Sequence, residues 1–171
     1  GETFFCLGMS RGAIGIVLSH LSVLKDAYDS GYDTIWVMED DIEAIKDPRL
    51  IPEMVAKLDA LIEDWDILFT DTDTKDTQGN HVPCRALAAR PNFNIEPISS
   101  YFSRFYQISN DFSRIGMRYG TYSMIVRRSG MKKILDHFNS YGIYLPYDMD
   151  FWLVPDIKMY TVNNDIISHK P

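Results

Sequence analysis

An apolar run, Thr34-Ile35-Trp36-Val37-Met38, stops abruptly against three carboxylates, Glu39-Asp40-Asp41. β-Branched and aromatic side chains in such a run favour a buried strand. Three acids at its end repel one another and are costly to desolvate, so they need either open water or a counter-charge. A divalent cation would supply that charge, because hard cations prefer oxygen ligands. In open α/β sheets, ligands gather beyond the carboxyl ends of the strands, which is where this trio falls. The alternative is a solvated acidic turn leading toward Ile42 and Pro48.

The rest of the chain alternates between helical and strand-like patterns. From Gly12 to Ser30 the spacing predicts a helix, with Ile14, Val17, Leu18, Leu21 and Leu24 on one face and Gly31 as its stop. Pro52 suits the first turn of a second helix carrying Val55, Leu58, Leu61 and Ile62. Further strands are expected at Asp66–Thr70, Tyr122–Val126 and Lys158–Val162. Ser129 is placed to cap a helix running to about Phe138, and a short helical piece starts near Asp148. Helices alternating with short apolar strands predict an α/β fold with a mainly parallel central sheet flanked by helices. Residues 72–117 break the pattern. They are polar, interrupted by Gly79, Pro83, Pro91 and Pro97, and carry Phe93, Tyr101, Phe102, Phe105 and Tyr106. That stretch reads as an irregular, insertion-like region within one domain spanning residues 1–171.

Composition narrows the functional classes. A net charge of −7 argues against a nucleic-acid partner, which needs a basic surface. The cluster Arg127-Arg128 with Lys132-Lys133 reads as a solvated helix face. Cys6 and Cys84 share no metal-binding spacing and imply no disulfide framework. No apolar stretch reaches the length of a membrane span, and none resembles a signal peptide. The chain starts at Gly1-Glu2-Thr3 without an initiator methionine, so the missing targeting signal carries little weight.

Further acids compete with the first trio. Asp71-Thr72-Asp73 also ends an expected strand, and Asp148-Met149-Asp150 follows Pro146. Asp64 and Asp66, around Trp65, read as helix-end and strand-start charges. Two acid-bearing strand ends on one sheet edge would share a pocket, although Asp and Thr also favour plain turns.

Here the residues resemble a known family. Arg11-Gly12-Ala13-Ile14-Gly15 through Ser19-His20-Leu21 is similar to the glycine-containing helix of the family 25 glycosyltransferases. Trp36-Val37-Met38-Glu39-Asp40-Asp41 resembles that family's metal motif, about twenty residues after Ser19-His20. Gly120-Thr121-Tyr122-Ser123-Met124-Ile125-Val126, Leu145-Pro146-Tyr147-Asp148 and Ile166-Ile167-Ser168-His169 follow in the family's order. Ala13 departs from the family glutamate. The strand and loop with which the family contacts its nucleotide have no counterpart before this helix, and residues 72–117 match no family pattern.

The resemblance implies a GT-A type fold and inverting transfer of a hexose, galactose or glucose, from a UDP-sugar to a glycan such as lipooligosaccharide or to a hydroxylated protein. It implies Mn2+ or Mg2+ held by Asp40 and Asp41, with His169 as a candidate third ligand through its neutral imidazole. Arg11, Ser19, His20, Glu39 and Asp40 would surround the donor. One base must take the acceptor proton as the hydroxyl attacks, and Asp148 is the candidate, with Asp150 and Asp71 as rivals. Tyr147, Phe151 and Trp152 are open between an acceptor-stacking surface and the core. The expected setting is cytoplasmic, at the inner face of a membrane, with a secretory lumen as the alternative. The rival functions are a degenerate GT-A module that binds carbohydrate or nucleotide without turnover, and a sugar nucleotidyltransferase. The nucleotidyltransferase would need a glycine-rich basic loop that the chain does not show.

Overall fold

The computed structural model describes residues 9–85 and 88–169. Cys6 lies outside them, as do the first residues of the chain. Helix α1, Arg11–Asp29, starts where Ser10 Oγ accepts the Ala13 amide at 3.1 Å and ends before Gly31, whose φ of +81° suits the stop. Its buried face is Val17, His20, Leu24 and Ala27. Leu18, expected inside, is 54% exposed, and His20 takes the inward position.

Strand β1, Thr34–Met38, has the predicted limits, and the short β2, Ile42–Ala44, follows the acid trio. A 3-10 turn at Pro48–Leu50 leads into α2, Ile51–Leu61, and then β3, Ile67–Phe69. Residues 72–117 contribute α3, Ile98–Phe102, and two strands, β4, Tyr106–Gln107, and β5, Phe112–Ile115. Next come β6, Ser123–Arg127, α4, Arg128–Tyr141, and α5, Tyr147–Asp150. Strands β7, Met159–Val162, and β8, Ile167–His169, finish the described chain.

The expectation of a mainly parallel sheet is corrected. Six strands lie in the order β1-β6-β3-β7-β5-β4, and only β3 and β7 run parallel. The reason lies in the route between β3 and β6. A parallel pair needs a crossover returning to the opposite edge. Here the chain leaves β3, builds β4 and β5, and re-enters at the same edge, where the Thr70 amide donates to the Ser123 carbonyl at 3.3 Å. One edge therefore collects the ends of β1, β3 and β7 and the starts of β5 and β6.

Alternation along the strands divides the core. Ile67 and Phe69 face α1, α4 and α5, together with Met124, Val126 and Met159. Leu68 faces α2 with Ile125, Tyr160 and Val162. Asp66 is no solvated strand-start charge: it is fully buried and accepts from Ser129 Oγ and Lys133 Nζ, each at 2.7 Å. The basic cluster is likewise tied down, with Arg127 over the Trp65 ring and Arg128 over Tyr28. No helix among the described residues is long and apolar enough to cross a membrane.

Candidate active site

At the shared edge, two hollows meet across Ile16 and Glu39. The larger, about 500 Å³, is lined by Ser19 and His20 of α1 and by Glu39, Asp40 and Asp41 beyond β1. The smaller, about 140 Å³, is lined by Glu39, Gly120, Thr121, Pro146, Tyr147 and Asp148. The helix, the acid trio, the strand start at Gly120 and the turn at Pro146 thus converge on one cleft, although they are spread over more than a hundred residues.

Glu39 is the hub. Its Oε1 accepts from Thr121 Oγ1 at 2.9 Å and lies 3.5 Å from His20 Nε2. The hydrogen bond with His20 pulls its carboxyl below the usual range, opposed by burial and helped by the Thr121 hydroxyl. Glu39 is therefore an anion in the cleft. His20 is buried and stacks on Tyr147, with ring centroids 4.2 Å apart and an interplanar angle of 10°. Burial pushes the Tyr147 phenol far up, so it stays neutral.

Asp148 behaves in the opposite sense. Burial pushes its carboxyl up, and the negative charge on Glu39 adds to the rise despite a hydrogen bond from the Gly120 amide to Oδ2 at 3.3 Å. Two neighbouring carboxyls driven apart in this way are the usual mark of divided acid–base roles. Gly120 has a φ of +73°, and a Cβ there would lie 2.3 Å from the Tyr122 ring. Gly120→Ala should cost about 1–2 kcal/mol from the backbone alone, displace Tyr122 and weaken the bond to Asp148. Thermal unfolding checks this, and an unchanged midpoint would contradict it.

The remaining expected site residues fall in different places. Asp40 and Asp41 are exposed in the larger hollow. Arg11 is exposed at the start of α1 and lines neither hollow. Pairing of Ile42 with His169 sets His169 one residue beyond Asp41. Its ring stacks on Tyr122 at 4.2 Å, and Nε2 donates to the Lys75 carbonyl at 2.9 Å. A carbonyl only accepts, so Nε2 carries a proton. Nδ1 is buried with no hydrogen-bond partner among the described residues. Among the described residues, however, no three His, Cys, Asp or Glu side chains converge to hold a metal ion. The carboxylate oxygens of Asp40 and Asp41 are of the kind hard cations prefer.

The rivals for the base are committed elsewhere. Asp150 is fully buried, with Oδ1 3.1 Å from both Arg90 Nε and His137 Nε2. Asp71 is also fully buried and takes two hydrogen bonds from Arg118 Nη2, at 2.9 and 3.1 Å. Phe151, Trp152 and Tyr147 belong to the core, and Trp152 Nε1 donates to the Asp148 carbonyl at 2.9 Å. Thr121 is the site residue that single-residue reasoning passed over. Its signal was present, since Gly120-Thr121 directly precedes a buried strand.

Residues 6–151 match the family model described as glycosyltransferase family 25 (LPS biosynthesis protein). The match takes in α1, the acid trio, Gly120-Thr121 and Asp148, and stops before β7, β8 and His169. No curated protein matches the chain. The family model covers most of the chain, and the motifs within the match meet in one cleft: the chain belongs to glycosyltransferase family 25.

Proposed function

We propose that this glycosyltransferase is of GT-A type and transfers a hexose, galactose or glucose, from a UDP-sugar to a glycan hydroxyl with inversion at the anomeric carbon. The observation that carries the reading is Asp148, held by the Gly120 amide at 3.3 Å on the wall of the smaller hollow, whose other carboxylate, Glu39, is kept ionised. In the proposed reaction Asp148 accepts the acceptor proton as the oxygen attacks, which needs one base on the face opposite the leaving group. Glu39, oriented by Thr121 and His20, is an anionic acceptor for sugar hydroxyls. Ser19 and His20 line the larger hollow, where the donor would lie.

Asp40 and Asp41, with His169 as the nitrogen donor nearest in register, would hold Mn2+ or Mg2+, which when bound neutralises charge on the departing diphosphate. Calorimetric titration of UDP-galactose and UDP-glucose with and without Mn2+ tests the donor site. Asp41→Ala should abolish the Mn2+-dependent part of binding and shift stability by no more than about 0.5 kcal/mol, because Asp41 is exposed. Equal binding by the variant and the parent would overturn the assignment. The rival reading is a sugar-binding module without turnover. Donor binding with no transfer to any glycan would establish it. The family's link to LPS biosynthesis supports a lipid-anchored glycan as the acceptor and a site of action at the inner face of a membrane.

A further inference from the structure

A third hollow, about 370 Å³, opens on the same sheet edge and lies outside the cleft described above. Its size suits a small ligand. Ser113 and Thr161, opposite one another on β5 and β7, form its floor, with Gln107 paired to Ser113 from β4. Asp73 forms one wall. Phe105, 43% exposed, stands on the rim and also lines an adjoining hollow with Asp73, Pro83 and Cys84.

The chemistry of this lining is that of a sugar site. An exposed ring offers a flat apolar face, and an acid, an amide and hydroxyls lie within the same hollow. Asp73 receives one hydrogen bond among the described residues, from the Thr74 amide to Oδ1 at 2.7 Å, which leaves acceptor capacity for ligand hydroxyls. Burial pushes its carboxyl up against the pull of Arg118, so hydroxyl donors would relieve an unfavourable desolvation. Arg118 itself is committed to Asp71. Arg114 also lines the hollow, where its guanidinium donates to the Tyr160 hydroxyl at 3.3 Å and lies over that ring. Tyr119 lies near both regions: burial pushes its phenol up, and Cys84 and Asp148 add to the rise.

We propose that the hollow beside Phe105 and Asp73 is a second carbohydrate subsite, which holds a sugar of the acceptor glycan remote from the residue being modified. The acceptor is thereby an oligosaccharide rather than a lone monosaccharide. This rests on the transferase reading only for the word acceptor; the sugar site stands on its own lining.

Ligand-observed saturation-transfer NMR with lactose, maltose and N,N′-diacetylchitobiose tests it, using the parent chain, Phe105→Ala and Asp73→Ala. At least one disaccharide should receive saturation from the parent, with Kd rising about tenfold or more in each variant. Neither change should unfold the chain, because Phe105 is half exposed and Asp73 is held against its own desolvation. No saturation of any disaccharide by the parent, or undiminished binding by both variants, would overturn the subsite. UDP-galactose titration with Mn2+ on the same samples separates the two readings. Disaccharide binding without donor binding would sink the transferase reading and leave the subsite. Donor binding without disaccharide binding would sink the subsite alone.

Discussion

Asp148→Asn should lower kcat by about 10²–10⁴-fold, the range a positioned general base contributes, while UDP-sugar binding stays at the parental level. The substitution is nearly isosteric, and an amide oxygen can still accept from the Gly120 amide, so geometry survives and only proton acceptance is lost. The pH profile gives a second readout. Burial, reinforced by Glu39, raises the Asp148 carboxyl above its ordinary value. A base must be deprotonated to act, so kcat/KM should climb with pH through a midpoint above the usual carboxylate range of about 4. That limb should vanish in Asp148→Asn. Stability runs the other way. An acid with a raised folded-state pKa binds more protons folded than unfolded between the two values, so its contribution falls as pH rises through that window. The variant should therefore melt at or above the parental temperature at neutral pH. Full transfer by Asp148→Asn would remove Asp148 as the base.

The sequence carried much of this because strand and helix periods are local properties. The limits of β1 are those expected, and β3, β6 and β7 lie within or one residue from the predicted runs. Strand direction is not local. It depends on which edge the chain returns to after β3, and that was set by β4 and β5, inside the stretch read as irregular. Phe112-Ser113-Arg114-Ile115 does have apolar ends and polar centres, but four residues are too short to stand out against a polar background. At the site, the family resemblance put Glu39, Asp40, Asp41 and Asp148 around one reaction, and the structure brings all four to the walls of the cleft. What spacing could not tell was which acid of each pair faces a hollow and which faces a buried arginine. Asp71 and Asp150 each sit two residues from a cavity-lining acid, and each is matched to a guanidinium from the irregular stretch or its border.

That pairing makes Asp150→Ala the largest expected loss of stability, about 3–5 kcal/mol. The Arg90 and Asp150 side chains are 1% and 0% exposed, and His137, at 1%, lies against the same carboxylate oxygen. Removing the carboxylate leaves the Arg90 guanidinium buried without its counter-charge, although it keeps its hydrogen bonds to the Tyr141 and Gly142 carbonyls. The cost comes from the stranded charge rather than from the attraction lost, since burial of both ions is itself expensive. The double variant Arg90→Met/Asp150→Leu should therefore recover much of the stability that Asp150→Ala loses. Urea unfolding reads both, and a shift below about 1 kcal/mol for Asp150→Ala would show that the cluster is already relieved by solvent. Arg90 also ties the segment before α3 to the end of α4 and to α5, the turn that carries Asp148. Asp150→Ala should consequently lower kcat as well, without removing the acid limb of the pH profile. The contrast with Asp148→Asn, which removes the limb and spares stability, separates a positioning carboxylate from a reacting one only two residues away.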